Sequence, residues 1–443
     1  IMLADSAIAL AAVAVWFILL WYCWIRPSRR HRKPAIQIAS AADTTAIVYA
    51  SQTGTALHLA QRTADGFGQQ ATLLAIDAIT PAQLSEFRRA LFIVSTYGEG
   101  DPPDMAQQFY RAMSAHRQEE RKLEGLEAGI LALGDDDYQH YCGFGVALET
   151  WLRQQGAALL FNTVKVNRCN AADLHLWETH LADHFQVVLG DEAPFHAWTL
   201  VERTLLNPAG LGRPCFELTW KPANDQIPPW SAGDIAQLRI GDAGETREYS
   251  IASVPAEGRL RLLVRQHQAP DGTPGLGSGW LCAQLPVGHQ AKIRIRPNPL
   301  FHAPDDDRPA VFIGNGTGIA GLRSLLQERI NRGHYDNWLI FGERSRNTDF
   351  HWAGLLESWQ QDGYLQRMDL AFSREQAGKR YVHHLLQDSA EAVANWAARG
   401  AVFYVCGSKD GMAQDVDRAV RELLGKHGYE DLVDRRGYRR DVY

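Results

Sequence analysis

Three short stretches of this 443-residue chain set hydroxyls, glycines and tyrosines directly after apolar runs. The first, "SQTGT", supplies Ser51, Gln52, Thr53, Gly54 and Thr55 and opens a helical pattern with Leu57, Ala60 and Ala64 on one side. Hydroxyls, a glycine and backbone N–H groups at the start of a helix form a cradle for phosphate. No lysine follows in P-loop spacing, so a flavin or a sugar phosphate suits the loop better than a nucleoside triphosphate. The second stretch, "STYGEGDPPD", carries Thr96, Tyr97, Gly98 and Gly100. The third, "GDDDYQHYCGFG", carries Gly134, Tyr138, Tyr141 and Cys142. Two rings beside flexible backbone, at the same end of a sheet as a phosphate cradle, meet the needs of a planar isoalloxazine with a phosphate tail.

The second half of the chain repeats this chemistry with different parts. "REYSIAS" offers Arg247 for a phosphate, Tyr249 for stacking and Ser250 as a hydroxyl for a ring nitrogen, and "GLGSGWL" adds Gly275, Gly277 and Ser278, a turn that brings backbone amides to a pyrophosphate. "AVFIGNGTGIAGL" reads as strand, glycine loop and helix, with Gly314, Gly316, Thr317 and Gly318 in the loop and Ile319, Leu322, Leu325 and Leu326 facing inward. In that context the glycines form a dinucleotide pyrophosphate loop. Arg344, Ser373, Arg374, Lys379 and Tyr381 follow at the ends of later apolar runs. Of these, Ser373, Arg374, Lys379 and Tyr381 offer a hydroxyl, two cations and a ring, a set suited to a 2′-phosphate and an adenine, which selects NADPH over NADH.

The elements that must hold these loops follow from hydrophobic periodicity. Apolar runs at 46–50, 72–76, 90–95, 129–134 and 159–166 alternate with helical patterns, predicting a doubly wound parallel sheet over 45–190, with ligands at the carboxyl ends of its strands. From 191 to 307, short alternating strands with Gly and Pro between them predict an antiparallel β-barrel. From 308 to 443 the βα rhythm returns. Ahead of all three, Ala7 to Ile25 run 19 residues without a charge and Arg26, Arg29, Arg30, Arg32 and Lys33 come after. At about 1.5 Å per residue this spans a bilayer core, so a transmembrane anchor is expected over 1–25 and a basic juxtamembrane linker over 26–44. The positive-inside rule then puts the catalytic domains on the cytoplasmic face of an inner or cytoplasmic membrane.

Composition narrows the classes. A net charge of −6, with 46% hydrophobic and 22% charged residues, suits globular enzymes and offers no basic surface to nucleic acid. The six cysteines form no CxxC pair and no histidine cluster has metal spacing, so no metal site is expected and a reducing compartment fits.

Taken together, "SQTGTA", "STYGEGDPPDMAQQFY" and "LALGDDDYQHYCGFG" resemble the flavodoxin domain of diflavin reductases, and "REYS" with the modules after it resembles ferredoxin-NADP reductases. The resemblance covers roughly residues 45 to 443. It implies an α/β flavodoxin-like FMN domain, an antiparallel β-barrel FAD domain and an α/β NADPH-binding domain. Ser51 to Thr55 would then hold the FMN phosphate, Tyr97 and Tyr138 would flank its ring, and Arg247, Tyr249, Ser250, Gly275, Gly277, Ser278 and Tyr443 would bind FAD. The likeness also makes Ser250, Cys406, Asp441 and Tyr443 the hydride-transfer residues, with Cys406 and Gly407 near the nicotinamide.

Relatives carry a mainly helical connecting domain between a "GD" turn and the "RxYS" strand. Here 12 residues separate Asp234 from Arg247, so that insert is absent. "CGS" stands where "CGD" is usual, with Ser408 at the acid's place. The expected activity is NADPH-dependent electron transfer through FAD and FMN to a haem protein, an iron centre or a ferric chelate. A sulfite reductase flavoprotein component is the second reading and a non-catalytic flavin-binding membrane sensor the third. Glu99, Asp101, Asp104, Asp135, Asp136 and Asp137 around the FMN loops predict an acceptor with a basic face.

Overall fold

The computed structural model describes residues 44–115, 122–208, 212–241, 244–375 and 378–443. The expected anchor and all but the last residue of the basic linker lie outside these. Among the described residues no helix is long and apolar enough to cross a membrane.

The first sheet contains β1 (Thr45–Ala50), β2 (Ala71–Ala75), β3 (Arg89–Ser95), β4 (Glu127–Gly134), β5 (Ala158–Leu159) and β6 (Val164–Asn167). All pairs are parallel, in the order β2-β1-β3-β4, and both β5 and β6 pair with β4. Helices cover both faces of such a sheet, which is why β1 is buried at every position and reads as an unbroken apolar run. The run at 159–166, expected as one strand, is split. Its middle leaves the ladder because the Phe161 ring stacks on His180 at 4.2 Å between centroids and lies over Gly129, where a Cβ would stand 2.5 Å from the ring. The helix Thr55–Phe67 buries Ala56, Leu59, Ala60, Thr63 and Phe67. The expected Leu57 and Ala64 only flank this face, since the row ending in the larger Phe67 wins the core.

The second sheet is antiparallel: β7 (His196–Leu205), β8 (Cys215–Pro222), β9 (Ile235–Ile240), β10 (Glu245–Ser250), β11 (Leu260–Arg265) and β12 (Gln290–Arg296). Its order is β10-β9-β12-β7-β8-β11, and a bridge from Ile251 to Leu262 joins the two outer strands into a barrel. Trp198, Trp220, Leu238 and Ile293 fill it. Strands β9 and β10 pair continuously from Ser250–Ile235 to Glu245–Ile240, so the place where a connecting domain would enter is a hairpin.

The third sheet, parallel again, runs β15-β14-β13-β16-β17, from β13 (Ala310–Asn315), β14 (Asn337–Glu343), β15 (Arg367–Phe372), β16 (Val402–Gly407) and β17 (Tyr438–Val442). Ile319, Leu322, Leu325 and Leu326 of the helix Ile319–Asn331 are all fully buried. The C-terminal residues thus form an edge strand whose Asp441 sits in register with Cys406.

The flavodoxin-like half packs directly on the other two sheets. Arg440 of β17 makes a bidentate ion pair with Asp104, and both are buried. Arg436 grips Asp77 with bonds of 2.6 and 2.7 Å, and Arg111 pairs with Glu430 at 2.9 Å. Arg296 Nη1 donates to the Thr53 carbonyl at 3.2 Å. Close approach here needs a glycine: a Cβ on Gly54, whose φ is +87°, would stand 2.8 Å from Asn298 Oδ1.

Candidate active site

Ser250 at the end of β10 donates its hydroxyl to Asp441 Oδ2 at 2.8 Å, and Cys406 Sγ lies 3.9 Å from the same oxygen. Three distant segments meet there because β10 abuts the nucleotide sheet where β16 and β17 run side by side. Cys406 is fully buried and Asp441 only 6% exposed. Burial pushes the Asp441 carboxyl up to about 6, and the Ser250 hydrogen bond moderates the rise. The Cys406 thiol is raised well above its ordinary value, first by burial and then by the neighbouring carboxyl.

Above this trio opens a cavity of about 530 Å³. Arg247, Tyr249, Ser250, Gly275, Gly277, Ser278, Asp441 and Tyr443 all line it. Gly277 must be small, since a Cβ would come within 2.8 Å of Arg247 and 3.0 Å of the Tyr249 hydroxyl. Tyr443 is 56% exposed and donates to Thr317 Oγ1 at 3.1 Å, which puts an exposed ring in the cavity wall. Sequence reasoning missed Arg265, His267 and Arg296 on the same wall, and expected Thr53 only at the FMN phosphate. Thr53 matters most, because it brings the phosphate loop of the flavodoxin-like half to the edge of this cavity.

A second cavity, about 460 Å³, is lined by Gly316, Arg344, Ser373 and Tyr381 together with Arg265, Arg380 and His383. Arg374 and Lys379 are exposed and do not line it. Arg380, ion-paired with Asp388, takes the place expected for Lys379. Gly314, Gly318 and Gly407 serve as close-packing positions beneath it: a Cβ on Gly318 would lie 2.1 Å from the Cys406 carbonyl, and one on Gly407 2.3 Å from Asn315 Oδ1.

The flavodoxin-like loops enclose a third cavity of about 180 Å³, lined by Thr53, Thr55, Thr96, Gly98, Gly134, Tyr138 and Cys142. The buried Thr96 hydroxyl on this wall has no hydrogen-bond partner among the described residues, which fits a phosphate or sugar-alcohol chain seated against it, whereas the equally unpartnered Ser51 hydroxyl lines a separate small cavity with Gln52, Asp104 and Arg440. Gly98 and Gly100 take φ of +56° and +133°, and a Cβ on Gly134 would meet Cys142 at 2.8 Å. Burial raises the Tyr141 hydroxyl's pKa, and Cys142 beside it adds to the rise. Gln52 turns away, its amide bonded to Asp104 at 2.9 Å. Tyr97 also departs from expectation: its ring packs on the nucleotide-domain core, with the Arg440 guanidinium 4.1 Å from its centroid. The acidic face is smaller than the sequence suggests, because Asp104 is buried under Arg440 and Arg168 pairs with Asp135, Asp136 and Asp137.

The flavodoxin family matches residues 47–178, and the oxidoreductase NAD-binding domain family matches 312–418. These two modules, in this order on either side of the barrel, together with the relatives below, put the chain in the diflavin reductase family. It is an NADPH-dependent flavoprotein oxidoreductase with FMN, FAD and NADPH as its cofactors. Among named proteins it is similar to the sulfite reductase [NADPH] flavoprotein alpha-component of Vibrio cholerae, 27% identical with 92% of this chain and 89% of that one aligned. The Bacillus subtilis protein of the same name is 24% identical over 93% of this chain and 92% of its own. That of Mannheimia succiniciproducens reaches 36% identity over 44% of this chain.

Proposed function

We propose that this chain is a membrane-anchored diflavin reductase that passes electrons from NADPH by way of FAD and FMN to a one-electron acceptor at the cytoplasmic face. When bound, the flavins take two electrons as hydride and release them singly. The residues of the chain divide the remaining work. Ser250, Asp441 and Cys406 hold the hydride-transfer end of the larger cavity, with Asp441 keeping the Ser250 hydroxyl oriented by the 2.8 Å bond. Tyr443 covers the cavity and moves aside for the nicotinamide. Arg344, Ser373, Arg380 and Tyr381 hold the adenine end of NADPH. Thr53, Thr55, Thr96 and Tyr138 hold FMN.

The observation that carries this reading is that Thr53 of the phosphate loop lines the same cavity as Ser250 and Asp441. The two flavin sites share a wall, as direct electron transfer without a connecting domain requires. Anchoring is supported by the uncharged run Ala7 to Ile25 and the basic residues after it. For the acceptor, a haem protein, an iron centre or a ferric chelate suits a partner at the membrane, and the exposed Glu99 and Asp101 favour a basic face. The names of the relatives favour a second acceptor, the haem component of a sulfite reductase. Stopped-flow reoxidation of the NADPH-reduced chain against a haem protein, a ferric chelate and a sulfite reductase haem subunit separates these. Fast transfer to the last alone would replace the first reading by the second.

A further inference from the structure

Both tyrosines expected to flank FMN are capped by cations from the opposite half of the molecule. Arg440 of β17 lies over Tyr97, and the Lys409 ammonium lies 4.1 Å from the centroid of Tyr138. The two cations differ in what they can do. Arg440 is buried and bound to Asp104, so its charge is balanced where it stands. Lys409 makes no salt bridge among the described residues, although the Asp135 carboxyl on the same wall feels its charge, and it lines the cavity built by the flavodoxin-like loops.

Its backbone belongs wholly to the nucleotide-binding half. Lys409 N donates to the Tyr443 carbonyl at 2.9 Å, and the preceding Ser408 N donates to Asn315 Oδ1 at 3.1 Å. The loop is thus tied to the C-terminus and to the pyrophosphate loop, while its side chain reaches across to Tyr138. A charge mounted this way reaches the cavity only while the halves are docked.

We propose that Lys409 is a residue of the FMN site supplied by the NADPH-binding half, and that its ammonium makes FMN easier to reduce in the docked arrangement than apart. The physical basis is the sign of the charge: a flavin gaining electrons gains negative charge, and a partly desolvated ammonium beside it stabilises that state. No bond forms or breaks in the step concerned. Electrons that NADPH delivers as hydride to FAD move on to FMN, and the bias lies in where they come to rest. This inference rests on the small cavity being the FMN site.

The test uses the full chain with both flavins bound, titrated spectroelectrochemically as the native protein and as Lys409→Met and Lys409→Arg. Lys409→Met should lower the ratio of reduced to oxidised FMN at fixed potential by on the order of tenfold. That corresponds to about 30 mV for a two-electron couple. Lys409→Arg should stay near native, and the FAD potential should not move in either variant. Repeated in an Asp77→Asn/Arg111→Gln background, which removes the ion pairs of Asp77 with Arg436 and of Arg111 with Glu430 and Asp434 between the halves, the Lys409→Met effect should shrink below about threefold. An FMN-loaded Lys409→Met protein with native FMN potential overturns the proposal, and an equal shift in both backgrounds overturns its dependence on docking. A native chain that carries FAD but no FMN instead overturns the assignment of the cavity, and the proposal with it.

Discussion

The proposed hydride site and the proposed FMN cavity are built in opposite ways. Ser250, Cys406 and Asp441 are 8%, 0% and 6% exposed and are locked by hydrogen bonds between barrel and nucleotide sheet. Everything they need lies in the C-terminal half. The proposed FMN cavity is smaller, about 180 Å³, and part of its wall, Lys409, arrives from elsewhere in the chain. A site that must exclude water while hydride moves is built into a fused core. A site that must also meet an external acceptor is left at an interface whose ion pairs can open and close.

The comparison is broken most severely at the trio. Asp441→Asn should slow anaerobic reduction of FAD by NADPH by about a hundredfold or more, with both flavins retained, because the Ser250 hydroxyl loses its charged acceptor. The same variant carries a stability signature. Since burial raises the Asp441 pKa from 3.8 to about 6, the carboxyl's contribution to stability is present below pH 3.8 and is lost as pH rises through 6. Asp441→Asn should therefore gain roughly 3 kcal/mol over the native chain at pH 7.5 and much less at pH 4, read by chemical denaturation.

Next comes the interface. Asp104→Ala takes the bidentate partner from the buried Arg440 guanidinium and leaves it only Asp417 at 3.8 Å, which should cost about 3 kcal/mol of stability. FMN reduction should slow while FAD reduction keeps its rate. If both steps slow equally, the two sites are not separable in the way described. A smaller change should follow at the coenzyme: Arg380→Gln should weaken NADPH binding by about tenfold and leave NADH unaffected, whereas Arg374→Gln should change neither. Equal losses for both coenzymes would remove Arg380 from 2′-phosphate recognition.

Much of this was legible in the sequence because local chemistry and local structure coincide. The strand, glycine loop and helix around Gly314 to Gly318 announce a pyrophosphate site, and the same rhythm marks the phosphate loop at Ser51 to Thr55. The barrel residues from Arg247 to Ser278 needed only their order. What was not legible depended on contacts across hundreds of residues. Nothing near Tyr97 indicates that Arg440 will stack on it, and nothing near Asp104 indicates that it will be buried rather than offered to a partner. Arg380 replaced Lys379 because one residue's shift at the start of a helix changes which side chain enters the cavity. The broken strand at 159–166 turned on Phe161, whose ring found a glycine to lie on.

The central claim is that the docked arrangement of the two halves is the one in which electrons pass between the flavins. In Asp77→Cys/Arg436→Cys, a thiol-reactive cross-linker with a reducible disulfide in its spacer would replace this interface ion pair and hold the halves in place, since an Arg–Asp pair reaches farther than a direct Cys–Cys bond. With NADPH added anaerobically, the cross-linked double variant should bleach both flavins at the native rate, and reducing the disulfide should leave that rate unchanged. Bleaching of FAD alone, with FMN remaining oxidised until the disulfide is reduced, would contradict the account.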